Sequence, residues 1–454
     1  MNPLHFDQHP HHTRRLIEAA LEAVDPATAV KRNLTLDGNR LRAGDLEYDL
    51  RDGRVFVVAA GKAARAMGTA AAAILGDALA AGILIGKRHS PQASPQTSPQ
   101  TSPQAPQSSS GEREVSASLV QRYAGHPVPD QAGVSATAEV VELLARTEPG
   151  DLVLCLISGG ASALLTQPTL PLDQWGRLVD ALLASGCTIN ELNAVRKRFD
   201  RVKGGGLARL AAPATCASLI LSDVVGNPLD VIGSGPTVAN PDDPAEAGRI
   251  LRRYGVAERL QPEDWAAVCD QLDQSAGEKA PDMSRVHNII IGDVRLAAEA
   301  AVSAAAELGF EARLLTAHLE GEAREVGRIA GALAKETGPN SCLVLGGETT
   351  VTLRGDGLGG RCLELALAAA MAIDGWPGRV VVTFATDGDD GPTNAAGGLV
   401  TGDTLAQARQ LGLQAEKALD NNDSYHFLQA TGSLLITGQT GTNVNDLILL
   451  LRYD

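Results

Sequence analysis

Apolar positions recur along the chain in two alternating rhythms. Mainly apolar runs at residues 55–60, 82–86, 151–157 and 217–221 predict buried strands, and the stretches between them, with apolar residues every three or four positions, predict helices. A first helix is expected over 13–24, ending at Asp25-Pro26 and followed by a polar stretch before the strand at 55–60, and an Ala-rich helix over 63–75. Another helix should run to about Arg146. From about Arg285 the series restarts with strands at 287–291, 312–315, 341–345, 380–384 and 434–437 and with helices between them.

Strands alternating with helices argue for largely parallel sheets with helices on both faces, which bind ligands beyond the carboxyl ends of their strands. At 454 residues the chain exceeds the size of one ordinary core. The expected fold is therefore α/β in two domains, residues 1–282 (Rossmann-like) and 283–454, with the active site in the cleft between them. Within the first, residues 89–112 repeat Ser-Pro-Gln with almost nothing apolar to bury, which predicts a disordered surface insertion.

Composition narrows the picture. Aromatic residues make up only 3%, so the core must be built from Ala, Val, Leu and Ile. A formal net charge of -15 without any long basic run argues against nucleic acid and anionic membranes as partners, and makes each Lys or Arg beside a glycine loop a candidate anion ligand. The six cysteines show no C-x-x-C spacing, which suits reduced thiols in the cytoplasm. No apolar run is long enough to span a bilayer. His5, His9, His11 and His12 are expected in a solvated leader rather than a metal site.

Several strand ends carry glycine turns that open helices. Ser158-Gly159-Gly160-Ala161-Ser162 and Lys203-Gly204-Gly205-Gly206 have the composition to bring backbone N–H groups close to an anion. Lys62, directly after the first strong strand, is placed to hold a phosphate or carboxylate. No G-x-x-x-x-G-K-[ST] loop and no G-x-G-x-x-G after that strand occurs, which removes the commonest nucleotide and dinucleotide folds. The second half offers Gly346-Gly347-Glu348, Gly359-Gly360-Arg361 and the acidic turn around Asp387, Asp389 and Asp390. Asp387, Asp390 and Arg361 suit phosphoryl transfer, which needs a metal-positioning carboxylate and a cation to meet developing charge; Asp389 reads as a turn residue. The polar stretches 421–425 and 438–446 are expected as loops or a site wall.

The ordered motifs Gly-His-Pro-Val-Pro-Asp (125–130), Ser-Gly-Gly-Ala-Ser (158–162), Lys-Gly-Gly (203–205), Ser-Asp-Val (222–224), Gly-Ser-Gly-Pro-Thr (233–237), Thr-Asp-Gly (386–388) and Gly-Thr-Asn-Val-Asn-Asp (441–446) closely resemble the glycerate 2-kinases with a C-terminal MOFRL domain. The resemblance implies transfer of a phosphoryl group from ATP to D-glycerate at the 2-hydroxyl, with Mg2+ or another divalent metal. It implies catalytic roles for Lys62, Arg361, Asp223 and Asp387, the two aspartates serving as metal ligands or base. Contacts to ATP would come from Ser158, Gly159, Gly160, Ser162, Lys203, Gly204, Gly205 and Glu348. A homodimer is left open. Members of the family are sometimes labelled hydroxypyruvate reductases; an NADH-dependent reductase is the alternative, and a metabolite-binding homologue without catalysis a third reading. Two departures stand out: Cys362-Leu363 replace the family's usual Asn-Gln after the arginine, and Gln439 stands where proline is common.

Overall fold

The structure, a computed structural model, describes residues 4–88, 118–240, 242–243, 245–275 and 282–454. The expected Ser-Pro-Gln insertion lies outside them. The chain packs as two compact units: one comprises Asn33–Leu219 and Leu229–Ile289, the other the residues up to Arg32, Ile220–Pro228 and Ile290–Asp454. For brevity these are the N-unit and the C-unit. The expected cut at 282/283 and this division by packing differ most at the start of the chain. The reason is local: the helix His9–Ala23 buries Leu16, Ile17 and Ala20 and packs on the helix Val294–Leu308.

The same helix corrects the histidine expectation. His12 is buried, its Nδ1 lies 3.0 Å from the Tyr453 hydroxyl, and its ring stacks on Tyr453 and meets Phe310 edge-on. Burial lowers its pKa, with His11 and His9 adding to the effect. It is a core residue, not part of a solvated leader.

In the N-unit a six-stranded sheet runs in the order Leu119–Ala124, Leu79–Lys87, Val55–Ala60, Leu152–Ile157, Thr215–Leu221, Val286–Gly292. Val55–Ala60 pairs in parallel with both neighbours, and every one of its residues is buried. That is why it reads as a continuous apolar run: both faces are covered. The polar stretch ahead of this strand holds the helix Pro26–Asn33 and a three-stranded antiparallel sheet, Leu34–Asp37, Arg40–Ala43 and Leu46–Asp49. Each strand is four residues long, too short for its alternation to stand out.

The C-unit sheet runs Glu311–Leu319, Ser341–Gly347, Asp446–Arg452, Arg379–Ala385, Gly397–Thr401, Leu434–Leu435. The first pair is parallel and the other four are antiparallel, so this sheet is mixed rather than largely parallel. The strand Asp446–Arg452 causes the difference, because it inserts antiparallel between two strands that precede it in sequence. Small residues let the helices on this sheet come close. A Cβ on Gly327 would lie 2.4 Å from the Leu365 carbonyl oxygen, and one on Gly331 would lie 2.3 Å from Ala372 Cβ, so the helices Ala323–Glu336 and Arg361–Ala372 meet backbone to backbone. Such a core needs few aromatics. Among the described residues no helix is long and apolar enough to cross a membrane.

Candidate functional site

In the C-unit three strand ends bring polar residues to one place. Ser341–Gly347 delivers Glu348, Arg379–Ala385 delivers Asp387, and Asp446 begins the strand inserted between them. Thr386 ties two of these ends together: its Oγ1 donates to the Asn445 carbonyl at 2.7 Å and accepts from the Val444 N–H at 2.8 Å. Arg361 enters as the first residue of the helix Arg361–Ala372. A cation at the positive end of a helix dipole is unfavourable alone, and acids compensate it. Arg361 donates from Nε and Nη2 to the two oxygens of Asp446, at 2.5 and 2.9 Å, and its Nη1 lies 3.3 Å from Glu348 Oε1.

Asn445 continues the network. Its Nδ2 donates to Glu348 Oε2 at 2.8 Å and to the Asp223 carbonyl oxygen at 2.7 Å, while Asn443 Nδ2 reaches Asp223 Oδ2 at 3.4 Å. Arg361, Glu348 and Asp223 are thus linked side by side, and Asp387 is close enough to raise the pKa of Asp446. A cavity of about 660 Å³ adjoins them, lined among others by Val224, Glu348, Gly360, Arg361 and Asp390.

Burial sets the acid chemistry here. It pushes Asp446 up to about 6, against the pull of the Arg361 guanidinium. Asp390 is pushed up to about 7 by burial, although its Oδ2 accepts from the Leu363 N–H at 2.7 Å. Burial also works against the charge on Arg361, but Asp446 more than offsets it and the pKa is raised. Arg361 stays a cation. Buried acceptor atoms without a partner among the described residues include Asn445 Oδ1 and Asp390 Oδ1.

The N-unit gathers the other predicted residues around the ends of Val55–Ala60 and Leu152–Ile157. The Lys62 N–H donates to the Gly159 carbonyl at 2.8 Å, and Ser158 Oγ accepts from the Ala63 N–H at 3.1 Å. Lys62 itself is exposed. Gly160 has φ +85°, and a Cβ there would lie 2.9 Å from the His126 ring, so no other residue fits the turn without strain. The N–H groups of Gly159 and Gly160 make no hydrogen bond among the described residues. Ser162 Oγ accepts from Ser234 Oγ at 3.0 Å. His126 is lowered in pKa by burial, then by Lys62 and Lys87.

The second glycine loop is bonded differently. Gly204 N–H donates to the Ser234 carbonyl and Gly205 N–H to the Gly235 carbonyl, at 3.0 and 2.8 Å. Lys203 is buried, and its Nζ donates to Asp200 Oδ2 at 2.5 Å, Thr166 Oγ1 at 3.2 Å and the Leu165 carbonyl at 3.4 Å. Burial lowers its pKa, with Asp200 opposing.

Within the C-unit the structure brings Arg361, Glu348, Asp223 and Asp387 together; within the N-unit it brings Lys62 to the loop 158–162. Asp389 is exposed, as a turn residue should be. The sequence reading placed Thr386, Asn445 and Asp446 in motifs, the last two also in a stretch expected as loops or a site wall, without an individual role, and gave Asp200 none. Besides its motif, the signal for Asp446 was its place before an apolar run, and for Asp200 its spacing of three from Lys203.

Residues 12–268 match a family described as a domain of unknown function (DUF4147), and residues 341–446 match the MOFRL family. The chain belongs to this DUF4147 and MOFRL family. Among its relatives is the D-glycerate 2-kinase of Thermotoga maritima, 37% identical over 445 residues that cover 96% of each chain. A glycerate kinase of Homo sapiens is 36% identical, covering 96% of this chain and 92% of that one. The crystal structure of a glycerate kinase from Thermotoga maritima superposes with a TM-score of 0.83 at 37% identity, over 98% of this chain and 100% of that one. Of the departures from the family pattern, Cys362 and Leu363 are both buried in the helix Arg361–Ala372, and Gln439 reaches Asp389 Oδ2 at 3.3 Å on the surface.

Proposed function

We propose that the chain is an ATP-dependent D-glycerate 2-kinase, releasing ADP and 2-phosphoglycerate. The observation that carries this reading is likeness along the whole chain to the D-glycerate 2-kinase of Thermotoga maritima. The local chemistry agrees with it. Arg361, fixed by two acids, presents a preorganised cation to charge that develops on a transferring phosphoryl group. Lys62, exposed at a strand end, anchors an anionic group of a substrate. Asp223 and Asp387 position metal or hydroxyl, with Glu348 beside them.

Among the described residues no group of three His, Cys, Asp or Glu forms a metal cage. Mg2+ does not require one, since it keeps waters and takes phosphate oxygens together with one or two carboxylates. The hard oxygens of Asp223, Asp387 and the unpartnered Asn445 Oδ1 fit that demand. When bound, the ion would neutralise phosphate charge; the chain's part is to orient it and to hold Arg361 in place. Six cysteines, none in a disulfide, suit work in the reducing cytoplasm.

The test mixes the protein with ATP, Mg2+ and D-glycerate and follows the product by phosphorus NMR. A 2-phosphoglycerate resonance with equimolar ADP is expected. Oxidation of NADH with hydroxypyruvate, and no phosphorylated product, would overturn the reading in favour of a reductase.

A further inference from the structure

A second cavity, of about 330 Å³, lies wholly in the N-unit, outside the residues discussed for catalysis except at its edge, where Gly160, Ser162 and Lys203 contribute. Its size falls in the range of small-molecule sites, roughly 300–1,000 Å³. Its walls have an unusual composition. Leu172, Trp175 and Val179 come from one face of the helix Leu172–Ala184, and Leu183 and Val128, 55% and 73% exposed, also line it. Large apolar side chains left open beside a cavity call for a cover.

Arg196 also lines this cavity. It is half-buried and makes no hydrogen bond or ion pair among the described residues, unlike Lys203, whose charge Asp200 matches. Burial lowers its pKa with no carboxylate to oppose the effect. A desolvated guanidinium without a counter-ion is costly, and an anion from outside the chain removes the cost. Asp180, exposed on the helix Leu172–Ala184, adds a hydrogen-bond acceptor. The complement of these walls is a molecule with a flat apolar part, hydroxyls to donate and an anionic tail.

We propose that this cavity holds the adenine nucleotide, with the base against Trp175 and Val179, the ribose hydroxyls toward Asp180 and the phosphates met by Arg196. The inference rests on the kinase reading for the identity of its ligand, but not for the existence of the site. Gly160, at the cavity's edge, carries one of the two unbonded N–H groups of the 158–162 turn, so a phosphate chain running from Arg196 has a second donor to reach.

The test uses the full chain with ADP as probe. In a W265F/W376F background Trp175 is the sole tryptophan, and saturable quenching by ADP is expected. R196Q should weaken ADP by ~10-fold or more, the loss of one charge-assisted contact, and R196K should recover part of it. KM for D-glycerate should stay within about twofold. G176F supplies an independent check: Gly176 lines the cavity and a Cβ there meets nothing within 4 Å, so a side chain can leave the helix at this point and the ring is put at the cavity wall. Its melting temperature should match the parent's while ADP binding is lost.

Unchanged ADP affinity in R196Q and G176F, absence of ADP quenching in the parent, or a rise in KM for D-glycerate alone would overturn the assignment. Failure of the kinase reading looks different: the parent would bind ADP and lose it in both variants, yet transfer no phosphoryl group to D-glycerate.

Discussion

Arg361 and Asp446 meet through two parallel N–H···O bonds, Nε and Nη2 each to its own carboxylate oxygen. This fork fixes the guanidinium plane and leaves Nη1 on the Glu348 side. Lysine could keep the charge but not the plane. Arg361→Ala should therefore lower kcat by roughly 100- to 1,000-fold, and Arg361→Lys by at least about 10-fold, in steady-state assays with ATP and D-glycerate. Near-normal turnover in the lysine variant would remove the orientation argument.

Asp390 gives a pH dependence with a definite sign. Its folded pKa, about 7, lies above the ordinary 3.8, so the folded state binds the proton more tightly than the unfolded chain. The stabilisation is complete below pH 3.8 and is lost as pH rises toward 7. Its upper bound is on the order of 4 kcal/mol, at about 1.4 kcal/mol per unit. Asp390→Asn keeps an acceptor for the Leu363 N–H but does not ionise. The variant should gain stability relative to the parent as pH rises from about 4.5 to 7.5, read as a growing difference in melting temperature; a constant difference would contradict the assignment.

Asn445 sits at φ +69°, a conformation that glycine tolerates and alanine does not. Asn445→Gly removes the two bonds to Glu348 and Asp223 without adding backbone strain. A fall in kcat/KM of about 10- to 100-fold with a small change in melting temperature is expected. Asn445→Ala should lose additional stability, which separates strain from hydrogen bonding.

Asp200 is a hub: besides Lys203 it accepts from Thr166 Oγ1 at 2.6 Å, Gln167 N–H at 3.1 Å and Val202 N–H at 3.0 Å. Asp200→Ala would leave a buried ammonium unpaired. The expected cost is about 3–5 kcal/mol in urea unfolding. An additional Lys203→Met change should recover part of it, because the pair rather than either charge is what burial tolerates.

Much of this arrangement was legible in residue order. The strand at 55–60 and the one before Ser158 announced themselves because both of their faces are apolar, and the glycines after them marked the turns. Arg361, Glu348 and Asp387 stood out for the same reason, each following a glycine turn or an apolar strand. Partners brought by distant chain segments were not legible. Asp446 meets Arg361 only because the strand Asp446–Arg452 inserts mid-sheet, and no local pattern specifies such a pairing. His12 misled for a similar reason: its stacking partner, Tyr453, is 441 residues away.

The helix His9–Ala23 belongs to the unit whose sheet lies wholly after residue 290. During synthesis on the ribosome it emerges well before its docking surface, the helix Val294–Leu308, and before Tyr453, on which His12 stacks. Translation thus delivers every segment of the N-unit, through Ile289, before the face that carries Leu16, Ile17 and Ala20 has a surface to pack on. Fragments made by cutting at 282/283 would strand it with the wrong half.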